Sequence, residues 1–66
     1  MFRDCFKMDT GVVARMMEKI YYNNLEIELE RGKPQNGMVK IAVAYKDRKV
    51  LDKLIEDSIR EETDSK

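Results

Sequence analysis

The stretch Leu25-Glu-Ile-Glu-Leu-Glu-Arg31 alternates apolar and acidic residues, and Val39-Lys-Ile-Ala-Val-Ala-Tyr45 alternates again a few residues later. A period of two is the mark of a strand, because successive side chains leave opposite faces of a pleated chain. Leu25, Ile27 and Leu29 therefore share one face, with Glu26, Glu28 and Glu30 on the other. Val39, Ile41, Val43 and Tyr45 share a face of the second strand, with Met38, Lys40, Ala42, Ala44 and Lys46 opposite. The segment between them, Gly32-Lys-Pro-Gln-Asn-Gly37, is rich in turn-forming residues and ends in Asn-Gly. The pair reads as an antiparallel hairpin buried on one face. Keeping both apolar sets on that face sets the parity of the register. The expected partner of Leu29 is Val39 or Ile41, which places Lys40 opposite Glu28 or Glu30.

On the N-terminal side, Asp9-Thr10-Gly11 reads as a helix start, with Asp9 or Thr10 accepting a hydrogen bond from a first-turn amide. Val13, Met16, Met17 and Ile20 follow at helical spacing on one face, and Asn23-Asn24 supplies a stop. On the C-terminal side, Asp47 caps a second helix with the stripe Val50, Leu51, Leu54, Ile55 and Ile59, and Ser58 lies inside that stripe. The buried part of this helix is expected to end near Arg60. Residues 1–8 fit two periods. Phe2, Phe6 and Met8 alternate, whereas Phe2, Cys5 and Phe6 fit a helix, and so short a run does not decide between them. Topology favours a strand. The first helix then becomes a right-handed crossover between two strands, with room for the third between them. The predicted fold is α+β, ordered (β)αββα. Two helices lie on one face of a small, mainly antiparallel sheet of strand order 1-3-2. Residues 1–62 form one domain, and 63–66 form a frayed tail.

Composition narrows the chemistry. The chain has 66 residues, no histidine and one cysteine. No histidine means no side chain whose ordinary pKa lies near neutrality, and no imidazole metal ligand. One cysteine forms no internal disulfide, and alone it is a poor metal site. No cofactor and no metal are expected, and no catalytic residue is assigned. A chain this short gains only a few kcal/mol from one core. With disulfide and metal set aside, self-association or unusually good packing is the expected source of further stability. Lys and Arg number 13, as do Asp and Glu, whereas nucleic-acid binders usually carry a basic excess. No apolar run has the length of a membrane span. The N-terminal residues do not resemble a signal peptide, and a lone thiol suits a reducing compartment. A cytoplasmic location, away from membranes, is expected.

Three groups are candidates for protein binding. Glu26, Glu28 and Glu30 form an acidic row, either a docking strip for a basic partner or a solvated face protecting a sheet edge. Met38, Ala42 and Ala44 make the second sheet face half apolar. They are either scattered exposed residues or a floor on which a second copy sits. Tyr22, with Tyr21 at its flank, is on the helix face opposite the core stripe, where tyrosine either binds a partner or packs on a nearby loop. Lys33, Lys40, Lys46, Arg48 and Lys49 are the candidates for contact with nucleic acid. Cys5 lacks a histidine base and reads as a small, partly buried hydrophobe. The expected function is a non-catalytic protein-binding regulator, inhibitor or adaptor working as a homodimer on an unidentified protein. The alternative is a nucleic-acid-binding module.

Overall fold

The computed structural model describes residues 1–64. The chain runs β1 (Phe2–Asp9), α1 (Thr10–Tyr22), β2 (Ile27–Arg31), β3 (Met38–Tyr45) and α2 (Arg48–Asp64). The sheet order is β1-β3-β2, and both pairings are antiparallel. β3 is central, as its low charge predicts. β1 and β2 are edges running parallel to each other, joined by α1. Of the undecided residues 1–8, all but Met1 are strand, because residues 2–9 pair with β3 from Phe2↔Tyr45 to Asp9↔Met38. The expected frayed tail begins inside α2, at Thr63 and Asp64, and its last two residues, 65 and 66, lie outside the described residues.

One face of the sheet carries Ile27, Val39, Ile41, Val43 and Tyr45. These pack with Val12, Val13 and Met16 of α1 and Leu51 and Leu54 of α2. The helix stripes differ in detail from the predicted ones. Val12 is buried, whereas Met17 is 41% exposed. In α2 the inward line is Leu51, Leu54 and Ser58, and Val50 and Ile59 sit on its exposed shoulders. Ser58 is tolerated inside because its hydroxyl donates to the Leu54 carbonyl at 2.7 Å, leaving no unpaired polar atom.

The helix ends follow local chemistry. The Asp9 carboxylate accepts from the Gly11 amide at 2.8 Å. At the other end of α1, Asn24 is left-handed (φ 50°), and the Leu25 amide donates back to the Ile20 carbonyl at 3.1 Å. This is the six-to-one closure that an αL residue permits. Asp47 caps α2 through the Lys49 amide at 2.9 Å. The two helices are also joined by ion pairs. Arg15 meets Glu62 at 2.9 Å and Glu61 at 3.6 Å, and Lys19 meets Glu61.

The Lys19 hydrogen bond, aided by the charges of Lys19 and Arg15, holds the Glu61 carboxyl below its usual value. A depressed folded pKa adds stability above the unfolded value of about 4.3, and that stability is lost as pH falls through the folded value. Glu61→Gln should therefore lower the urea midpoint at neutral pH, and the difference from wild type should vanish as the pH is taken well below about 4.3. Urea titrations across pH test this, and a difference that persists in acid contradicts it.

The register corrects the expected pairing. Leu29 faces Val43, not Val39 or Ile41, although the parity holds. Lys40 faces Lys7 on β1, and it lies opposite neither Glu28 nor Glu30. The cause is the turn. Asn36 (φ 53°) and Gly37 (φ 78°) form a two-residue turn closed by reciprocal Gln35–Met38 hydrogen bonds of 2.7 and 2.9 Å. Two positive φ values make this a type I′ turn, whose twist suits a hairpin. Below it, the Gly32 amide donates to the Lys40 carbonyl at 2.9 Å. Two residues, Lys33 and Pro34, thus oppose the single Val39. This bulge shifts the ladder by one residue and returns the apolar sets to one face. Pro34 fits there because it has no amide to pair. An added Cβ at Gly37 meets no atom within 4 Å, so only backbone strain acts. Gly37→Ala should cost about 1 kcal/mol, or about 4–8 °C in melting temperature for a chain of this size. An unchanged melt contradicts the turn assignment.

Candidate protein-binding surface

The helices cover one face of the sheet and leave the other open. Even-numbered residues of β2 and β3 and odd-numbered residues of β1 point to the open side. The register arranges them in rows: Arg3, Ala44 and Glu28; then Cys5, Ala42 and Glu30; then Lys7 and Lys40, with Gly32 beyond. The floor along β3 is thus small-sided at its centre, between two walls of long charged side chains. Ala44 is only 6% exposed in its row between Arg3 and Glu28. Ala42 is half-buried, and an open depression of about 580 Å³ extends from it past Cys5, Lys7, Glu30 and Lys40.

The walls differ in sign. The β1 wall carries Arg3 and Lys7, and the β2 wall carries Glu28 and Glu30. None of these four, nor Lys40, is in an ion pair with another described residue. Glu26 extends the acidic row beyond β2 but is paired with Lys46 at 3.2 Å. Opposite charges on the two edges are separated by β3, so they reach past each other into solvent. Cys5 is not partly buried as expected but a free, exposed thiol in the middle of the basic wall, because it points to the open face opposite Ala42.

The predicted site residues divide between surfaces. Glu28, Glu30, Ala42 and Ala44 are brought together, with Glu26 at one end and half-buried Met38 beside Asp9 at the other. Tyr22 is not among them. It is 76% exposed at the end of α1, with its ring edge-on to Tyr21 at 5.4 Å. The basic set is also divided. Lys33 and Lys40 are at one end of the hairpin and Lys46, Arg48 and Lys49 at the other, about 20 Å away at the usual strand rise. Arg48 is engaged locally, donating to Asp4 at 2.6 Å, to Asp52 at 3.0 Å and to the Tyr45 hydroxyl at 3.1 Å. The Tyr45 contact, and then Asp52, raise its pKa above the ordinary value. The Tyr45 hydroxyl in turn donates to Asp4 at 2.5 Å.

Sequence reasoning missed Arg3, Cys5 and Lys7 as part of this face. Their alternating spacing was a usable signal once residues 2–9 were known to be a strand. Among the described residues, no group of three or more His, Cys, Asp or Glu side chains is placed to hold a metal ion, and no helix is long and apolar enough to cross a membrane. Comparison with protein-family models, curated proteins and solved structures finds no match.

Proposed function

We propose that this chain is a small non-catalytic protein-binding regulator, inhibitor or adaptor, that it acts as a homodimer, and that the open sheet face is its working surface. The observation carrying this reading is the floor of Ala42 and Ala44 between two walls of charges that have no ion-pair partner among the described residues. Small floor residues let another backbone or side-chain layer come close, and a charged rim gives orientation rather than bulk affinity. A nucleic-acid module draws its affinity from a continuous cationic track. The lysines and arginines of that second reading are split between the hairpin ends, and two of them are engaged by Glu26, Asp4 and Asp52.

Sedimentation over a concentration series tests the dimer. The expected result is a monomer–dimer equilibrium, and a chain that stays monomeric at the highest concentration overturns it. Passage over a phosphate-rich resin at low salt tests the other class. Flow-through is expected, and retention that salt reverses favours nucleic acid.

A further inference from the structure

The open face is complementary to itself, but only in one orientation. Two sheets packed face to face are about 10 Å apart, and a symmetric pair needs a two-fold axis between them. An axis running across the strands stacks β1 on β1 and β2 on β2. Arg3 and Lys7 then face a second basic wall, and Glu28 and Glu30 face a second acidic one. An axis running along β3 stacks β1 of each copy on β2 of the other. Rows then superpose, because rotation about the strand direction preserves position along it. Arg3 comes over Glu28 of the second copy, and Glu28 over the second copy's Arg3.

Resting on the homodimer reading above, we propose that two copies pack open face to open face about a two-fold axis along β3, joined by two reciprocal Arg3–Glu28 pairs over the Ala42–Ala44 floor. The rest of the face fits this arrangement. Cys5 is small and comes over Glu30 of the other copy. Lys7 comes over Gly32, whose lack of a side chain leaves space for the lysine to reach that same Glu30. Lys40 lies near the axis at the end of the floor. It faces its own symmetry mate there, and its long stem lets the ammonium turn towards Glu30 of the second copy. The arrangement supplies opposite charges to the residues of both walls that have none among the described residues of their own chain.

A charge exchange tests it, because Arg3 and Glu28 are exposed and neither substitution touches the core. Arg3→Glu sets a carboxylate against Glu28 twice in a homodimer, and Glu28→Arg sets a guanidinium against Arg3 twice. Each variant alone should weaken self-association at least about 100-fold, since like charges in an interface cost several kcal/mol. An equimolar mixture of the two should form a heterodimer holding two complementary pairs. The double variant R3E/E28R should self-associate like wild type. Circular-dichroism melts of all four proteins confirm that each is folded.

Restored association in the mixture and in the double variant is the expected result. A dimeric wild type whose single variants stay dimeric, or whose mixture stays monomeric, overturns this arrangement and leaves the homodimer standing on another surface. A wild type that is monomeric at every concentration overturns the homodimer reading itself.

Discussion

Leu51→Ala is expected to destabilise the protein far more than the same truncation on the exposed shoulder of α2. Leu51 is fully buried, at the point where α2 enters the core with Leu54. Removing most of its side chain deletes buried apolar area and leaves a cavity that the surroundings fill only partly, which costs about 2–5 kcal/mol. A domain of this size has a total stability of roughly 3–10 kcal/mol, so the loss takes a large share of the whole. The shoulder residue Ile59 is the control. It is 45% exposed, and Ile59→Ala should cost well under about 2 kcal/mol. Urea unfolding followed by far-ultraviolet circular dichroism measures both. If Ile59→Ala is the more damaging of the two, the inward face of α2 is assigned wrongly.

Ala42→Glu is expected to separate the proposed dimer without unfolding the chain. Ala42 is directly across from Glu30 in the middle of the floor and is only half-buried. In the free chain its glutamate extends into water, with a modest loss from a poor strand former beside a like charge. In a face-to-face dimer the same carboxylate is desolvated at the closest approach of the two sheets. Across an axis along β3 it also faces its own symmetry mate, and like charges in an interface cost several kcal/mol, enough to raise a dissociation constant more than about 100-fold. Ala44→Glu behaves differently. Ala44 is already buried within its own chain, so the longer side chain of a glutamate there must force room for itself and lowers monomer stability as well. Sedimentation equilibrium with a parallel melt distinguishes the two variants. An unchanged dimer in Ala42→Glu shows that the floor is not buried by association.

Much of the fold was legible because strands and helices announce themselves by local period. Alternation in 25–31 and 39–45 identified two strands and the face each would bury, since a side chain's face depends only on whether its number is odd or even along the strand. Asp9, Asp47 and Asn23-Asn24 marked helix ends because capping is a contact within a few residues. The crossover rule and the low charge of residues 39–45 then made that strand central. Parity survived the register error for the same reason: a ladder displaced by two or four residues keeps every side chain on its face. The signal for the true register was present in Asn36-Gly37. A type I′ turn there places odd residues against even ones, and an extra residue must be taken up before the apolar faces can align. Lys33-Pro34 is where a missing amide makes that easiest.

By itself, the sequence determined the order helix, hairpin, helix, the buried face of the hairpin and the helix caps, all properties of neighbours in the chain. Tertiary structure decided the rest. Whether residues 2–9 form a strand depended on eight residue pairings with β3, far along the chain from its own neighbours. Which members of an apolar stripe lie inward depended on how each helix is rotated against the sheet, and that rotation exposed Met17, Val50 and Ile59. The candidate surface depended on both. Its acidic wall was visible in the alternation of 26–30, but its basic wall comes from Arg3 and Lys7. These reach the same face only because β1 pairs with β3 over a distance in sequence that no local period spans.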